Sequence, residues 1–454
     1  MKRLLAILLA IALTLALFGC AKPQNVSVAP GTGGAAPAEP TKPTKPEDTP
    51  QEWVYDVTLE SAQDKHRNED GVVLAVQSYE LPVLQMRNAA GEENFLGDLP
   101  VSGVGEKQLA VCKAFNAGVD LSELSADWDV AEAAEEAYQW SLESGMEFTP
   151  LFDEFHVTEI YQSGDLLSIF GVGSSYAGGA HPNNYTKAWN FDLGAGEFFT
   201  LRDLSDYPDE LVREIAYNIL GKIWESDEAD LYFDDYADTI LMMDDFAVSF
   251  NESGMTVTFA EDDIAPHAGG MPSFLIPYAE FSRYLNERGE RILNLSPEDR
   301  ALGDYYEAEE MWSWFNLTTM PLDPERPAPE EGYYAVSYRD ITTIAQLRAL
   351  LETRFSAEIV DELLTAENGH YKDIDGVLCA LQADRGSDIT VASVDYAVEL
   401  NDDDTAGQVT ATIHRQDFDE AKEEWYLTGE TGTVEFPFEI TGNGARFTFF
   451  DSIY

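Results

Sequence analysis

Two short segments of this 454-residue chain combine residue types that can do chemistry. One is Tyr176-Ala177-Gly178-Gly179-Ala180-His181-Pro182, and the other is Ala265-Pro266-His267-Ala268-Gly269-Gly270. Each sets an imidazole beside a Gly-Gly pair in a loop flanking a strand pattern. Imidazole donates, accepts or ligates a metal. Paired glycines permit positive φ and close approach of backbone to a ligand. Two readings stay open. Gly178, Gly179, His181, His267, Gly269 and Gly270 form a shared loop site facing a ligand or metal, or each segment is a tight corner whose imidazole satisfies loop backbone. Two histidines alone do not complete a metal site, which usually takes four ligands. The remaining histidines, His66, His156, His370 and His414, have no partner three or four residues away, so no helical metal pair is present. Neither metal nor cofactor is expected.

Other chemistry-bearing patterns are weak. The chain has no Gly-x-Ser-x-Gly elbow, no His-Glu-x-x-His, no phosphate-binding loop and no dinucleotide fingerprint. No catalytic residue is assigned, and the expectation is a protein that is not an enzyme. A metal-dependent enzyme using His181 and His267 stands as the alternative from another class. Asn401-Asp402-Asp403-Asp404 lacks the spaced ladder and distal Glu of a calcium loop and reads as a hairpin turn. The acidic residues Asp227, Glu228, Asp230, Asp234 and Asp235 read as a solvated face. Trp312, Trp314 and Phe315 read as core or inter-domain packing.

The composition limits the partners. There are 84 acidic against 27 basic residues, a formal net charge of −57, yet 44% of residues are hydrophobic and 12% aromatic. That apolar fraction builds a core, so the chain is not a disordered acidic polymer. The charge argues against nucleic acid, whose phosphates require a basic footprint. It favours cationic partners and speeds their encounter.

The N-terminus reads as a targeting segment. Lys2 and Arg3 precede an apolar run over 4–18, and Leu17-Phe18-Gly19-Cys20 closes it. A basic head, a short apolar stretch and a small-residue ending make a secretory signal over 1–20. The ending resembles the bacterial lipobox, which implies that Cys20 is lipid-modified and anchors the chain to the outer face of the cytoplasmic membrane. Residues 21–50 carry seven prolines and three glycines and read as a semi-rigid, disordered linker. Cys112 and Cys379 sit in a helical and a strand pattern, and buried free thiols are expected of both.

From Trp53 onward the periodicities alternate between strand and helix. Strands are expected over 53–60, 71–84, 155–157, 166–172 and 188–193, with helices over 106–119, 126–142 and 207–224. Leu211, Ile215, Ile219 and Ile223 recur at four-residue steps and give the last helix one apolar stripe. A hairpin over 246–259 and a short helix over 278–285 complete a domain at 51–295. The polar stretch 295–304, containing Pro297, reads as a boundary. Helices over 341–351 and 356–364, each with Thr or Ser near its start, then lead into strands at 371–382, 389–400, 408–414, 425–427, 433–440 and 445–450. The fold class expected is α+β, with two domains at 51–295 and 304–454, each of helices packed on a mainly antiparallel sheet.

Two resemblances add to this. Ser175 to Pro182, then Trp189-Asn190-Phe191-Asp192-Leu193, Phe199-Thr200-Leu201-Arg202-Asp203-Leu204, and Ile264 to Gly270 through Ile276-Pro277-Tyr278 resemble the extracytoplasmic domain of RsiV-type anti-sigma factors. The same domain precedes the catalytic part of some peptidoglycan deacetylases. The resemblance implies binding of envelope ligands, lysozyme among them. The sequence has neither the sigma-binding segment nor a deacetylase domain, so binding is all that carries over. Over 304–454, Tyr333-Tyr334-Ala335-Val336, Phe355-Ser356-Ala357-Glu358-Ile359, Asp375-Gly376-Val377-Leu378 and Asp384-Arg385-Gly386-Ser387 resemble IseA-type inhibitors of cell-wall DL-endopeptidases. That likeness implies blocking of peptidoglycan hydrolases without catalysis. Together they point to a lipid-anchored envelope protein whose partners are cell-wall hydrolases or lysozyme, both cationic.

Overall fold

The computed structural model describes residues 53–88, 91, 93–94, 105–124, 129–226, 229–365, 370–419 and 421–453. The segments expected as a signal over 1–20, with Cys20, and as a linker over 21–50 lie outside the described residues.

The first half is built on a mixed sheet. Strands β1 (Trp53–Arg67) and β2 (Val73–Asn88) form a long antiparallel hairpin, and β3 (Glu93–Asn94) adds to β2. β2 then pairs in parallel with β4 (Leu151–Ser163). A parallel pair requires a crossover, and α1 (Glu106–Gly118) and α2 (Val130–Ser144) supply it. β5 (Leu166–Tyr176), β6 (Asn183–Asp192) and β7 (Glu197–Phe198) continue antiparallel to the far edge. α1 buries Leu109, Val111, Cys112 and Phe115 against Leu84, Met86, Phe155, Ile169 and Phe191 of this sheet.

A second core lies next to the first. α3 (Pro208–Glu225) opens with Pro208 at a position where its missing N–H costs nothing. The stripe Leu211, Ile215, Ile219 and Ile223 is fully buried against a three-stranded sheet, β8 (Val248–Asn251), β9 (Gly254–Thr258) and β10 (Ser273–Pro277). α4 (Tyr236–Leu241), α5 (Tyr278–Phe281) and α6 (Glu287–Leu293) close this core. The helix expected over 278–285 ends at Phe281 and tightens into a 3₁₀ turn over Ser282–Tyr284.

The stretch 295–304, expected as a boundary, holds the start of a helix. α7 (Pro297–Asn316) is capped by Ser296, whose hydroxyl accepts from Asp299 N at 3.0 Å, with Pro297 at its first position. The polar, proline-bearing stretch read as a boundary is therefore a helix start. The hydrophobic clusters do change membership here. Ala301, Tyr305, Ala308, Met311, Trp314 and Phe315 of α7 all belong to the core of the second half.

That half carries two four-stranded sheets. β11 (Leu322–Pro327), β12 (Tyr333–Val336), β14 (Val377–Leu381) and β13 (Tyr371–Ile374) form one. β15 (Val391–Leu400), β16 (Ala406–Asp419), β17 (Glu424–Thr441) and β18 (Gly444–Phe447) form the other. α8 (Ile344–Arg354) and α9 (Ala357–Leu363) pack with them. Thr343 caps α8 by accepting from Gln346 N, whereas the Ser356 side chain makes no capping bond to α9. The single strand expected at 371–382 is two strands turned by Asp375 and Gly376, both at positive φ. The two strands expected at 425–427 and 433–440 are one continuous β17, because both pair with β16. The architecture is α+β with mostly antiparallel sheets. Cys112 and Cys379 are buried with free thiols, as their helix and strand patterns indicate.

Candidate functional site

Local geometry brings the two Gly-Gly-His loops together. His181 lies in the β5–β6 turn. Gly178 and Gly179 there adopt φ of 89° and 127°, which a side chain would strain. The Tyr176 hydroxyl donates to Gly179 O at 3.0 Å and closes the turn. His267 opens a 3₁₀ turn, His267–Gly269, between β9 and β10, and Gly270 leaves it at φ 70°. Gly269 is helical, so it needs no positive φ. The imidazoles of His181 and His267 lie with ring centroids 3.7 Å apart, tilted by 32°.

Carboxylates fasten this corner. Glu261, nearly buried, accepts from Asn184 N at 2.8 Å and Asn184 Nδ2 at 2.7 Å, tying the β9–β10 loop to β6. His267 Nδ1 faces Asp262 Oδ2 at 3.3 Å and Glu261 Oε2 at 3.5 Å, and its Nε2 faces Pro182 O at 3.2 Å. His181 Nδ1 also faces Pro182 O, at 3.3 Å. The two loops therefore meet at one corner, where both imidazoles face loop backbone. Among the described residues, no group of three or more His, Cys, Asp or Glu is arranged to hold a metal ion. The corner presents two tilted imidazoles beside exposed glycine backbone.

A second, charged feature runs along α7. Gly303 lets α7 cross the α5 end closely, since a Cβ there would collide with Ser282 Oγ. Beside the crossing, a cavity of about 450 Å³ is lined by Glu214, Glu280, Arg283, Tyr306, Glu309 and Glu310. Arg283 Nη2 meets Glu214 Oε1 at 2.9 Å, and its Nε lies 3.8 Å from Glu310 Oε2. Burial pushes the Glu309 carboxyl up to about 7, against the pull of the Tyr305 hydroxyl and Arg283. Burial raises Glu280 and Glu310 as well. A neighbouring cavity of about 600 Å³ is lined by residues including Glu290, Asp304, Glu307, Arg354 and Asn443. Arg354 there joins Asp304 and Glu307 of α7 at 2.8 and 2.5 Å.

Comparisons with known proteins supply a partial likeness. No family model matches this sequence, and no curated protein matches it significantly. About half of the chain is similar to solved DUF3298 family proteins. One from Bacteroides fragilis is 17% identical with a TM-score of 0.34, covering 53% of this chain and 96% of that one. Another from Pseudomonas aeruginosa is 14% identical with a TM-score of 0.31, covering 52% of this chain and 96% of that one.

The charged cleft escaped the sequence reading. Glu307, Glu309 and Glu310 look like ordinary helix-surface charges, and their burial follows from what α7 packs against. The signal that was available is Ser296-Pro297-Glu298-Asp299, an N-terminal helix signature. Asn401-Asp402-Asp403-Asp404 is a hairpin turn, with Asn401 Oδ1 accepting from Thr405 N and Ala406 N at 2.8 and 3.1 Å. Asp230, Asp234 and Asp235 are exposed. Among the described residues, no helix is long and apolar enough to cross a membrane.

Proposed function

We propose that this chain is a surface-anchored, non-enzymatic lipoprotein, held by a lipid on Cys20 at the outer face of the cytoplasmic membrane, that binds and restrains cationic peptidoglycan hydrolases of the DL-endopeptidase type. One observation carries the reading: the chain has a net charge of −57, and its described residues form well-packed α+β cores. Such a surface draws basic proteins by long-range steering and repels anionic polymers. The lipobox-like ending and the IseA-type likeness supply the location and the target class.

The test adds residues 21–454 to a DL-endopeptidase digesting purified cell walls. Slowed digestion, with the effect weakening as salt rises, supports the reading. Digestion that proceeds unchanged at every salt concentration overturns it.

A second reading is favoured by the meeting of His181 and His267. In it, the first half binds lysozyme as a receptor or decoy, using that corner. Capture of lysozyme by the wild-type chain and its loss in a His181→Ala, His267→Ala variant supports this reading. Equal capture by both refutes it.

A further inference from the structure

The β16–β17 hairpin outruns the sheet it belongs to. β15 accompanies β16 only as far as Val391↔Arg415, and β18 accompanies β17 only over its last residues, from Phe438↔Phe447. Beyond Arg415 the ribbon is two-stranded. It runs through Gln416↔Leu427, Asp417↔Tyr426 and Phe418↔Trp425 to Asp419↔Glu424. Directly opposed residues share a face, and faces alternate every residue. Phe418, Trp425 and Leu427 therefore stand on one side, and Asp417, Asp419, Glu424 and Tyr426 on the other.

The apolar side is open to solvent. Leu427 is 70% exposed, Trp425 47% and Phe418 40%, and the Phe418 and Trp425 rings touch with centroids 5.3 Å apart. Ile389, whose carbonyl accepts from Gln416 Nε2 at 2.9 Å, adds another exposed apolar side chain at the base. A projecting ribbon with tryptophan at its tip has the composition of an interface hot spot. The back is acidic. The ribbon's two cations are already engaged, Lys422 with Asp419 and Glu424, and Arg415 with Asp388 at 2.6 Å.

Charge decides among occupants. A second copy of a chain at −57 is repelled, and so is an anionic lipid surface. We propose that the ribbon over 415–430 is the element by which this chain grips its partner, seating Phe418, Trp425 and Leu427 in an apolar groove rimmed by lysine and arginine on a basic protein. This rests on the reading that the chain binds cationic hydrolases, and it names the part that does so.

The experiment measures binding of residues 21–454 to a DL-endopeptidase and to lysozyme. It compares wild type, Trp425→Ala/Leu427→Ala, and Asp417→Asn/Asp419→Asn/Glu424→Gln, each checked for an unchanged near-ultraviolet spectrum. The apolar variant is expected to weaken binding by about thirtyfold, with its salt dependence kept. The charge variant is expected to slow association and flatten the salt dependence. Trp425→Phe, which keeps a ring, is expected to retain most of the affinity and so separates lost contact from a disordered ribbon. Wild-type binding matched within twofold by the apolar variant overturns this assignment and leaves the functional reading standing. Wild type that binds neither probe overturns both. Self-association, or binding to anionic vesicles, that is lost in the apolar variant overturns the choice of a basic protein as occupant.

Discussion

Arg354 offers a demanding test of how the second half is held together. Its guanidinium makes four contacts: Nε with Glu307 at 2.5 Å, Nη2 with Asp304 at 2.8 Å, and Nη1 with Asn443 O at 2.5 Å and Thr353 O at 3.2 Å. All three charged side chains are nearly buried, between 12 and 15% exposed. Two charge-assisted bonds contribute about 1.5–3 kcal/mol each, and removing one partner of a buried pair costs about 3–5 kcal/mol. Arg354→Ala strands two carboxylates one helical turn apart, so the loss of stability at about pH 7.5 is expected in that range. Acid relieves it. Burial raises the Asp304 carboxyl to about 6, while Arg354 and Ala445 N–H pull the other way. The folded chain thus holds this proton more tightly than the unfolded chain. Its contribution favours folding below the ordinary value of 3.8 and is lost as pH rises through about 6. Near pH 5 the stranded Asp304 is largely neutral, and the Arg354→Ala penalty is expected to shrink by about 1–2 kcal/mol. Urea unfolding followed by tryptophan fluorescence at the two pH values measures both figures. A neutral-pH loss under about 1 kcal/mol, the size of a surface pair, refutes the reasoning. So does a loss that ignores acidification.

Other expectations follow from the same geometry. Asp192 is fully buried. Burial pushes its carboxyl up, but Arg291 at 2.5 and 3.0 Å and the N–H groups of Ala195 and Gly194 outweigh that and hold it below its usual range. Its stabilisation is present above the ordinary carboxylate value and fades as pH falls through the lowered one. Asp192→Asn is expected to cost about 2–3 kcal/mol at neutral pH in denaturant titrations. Gly303→Val drives a branched side chain into Ser282 at the α5–α7 crossing, so a loss of about 1–3 kcal/mol is expected in thermal unfolding, with partial rescue by Ser282→Ala. Burial pushes the Cys112 thiol up to about 11 and also raises Cys379. Neither thiol is expected to react with iodoacetamide until denaturant is added, which mass spectrometry of the quenched reaction reads directly.

Legibility in the sequence followed locality. The α3 stripe was readable because its burial has a four-residue period of its own, and all four residues are fully buried. The β8–β9 hairpin was readable from its turn. α7 was not, because its charged residues hide its period. Glu307 is buried where Arg354 comes from α8 to meet it. β11 and β12 were missed for a related reason, since prolines mark 321–327 as loop while the pairing partner supplies the strand. At the candidate corner each loop was visible on its own, through glycines whose positive φ is a local demand. Their meeting stood in the sequence only as one of two open readings, because the contact that joins them, Glu261 reaching Asn184 across 77 residues, has no local signal. The hairpin ribbon was half seen. Strands were expected on both arms, but no local signal tells how far a pair continues after its neighbours stop.

The position of α7 bears on how this protein can be dissected. The place where the hydrophobic clusters change hands is not a hinge of slack chain but a beam shared by both sides, with Gly303 lodged against one and Ala301, Tyr305 and Ala308 embedded in the other. A fragment beginning at 304 would start inside that beam, without Ser296 to cap it and without Ala301 to fill its core. A fragment ending at 295 would leave Ser282 facing water where Gly303 had been. Any attempt to assign activities by cutting the chain in two must therefore choose which piece keeps the whole helix, and the other piece will be wounded by the choice.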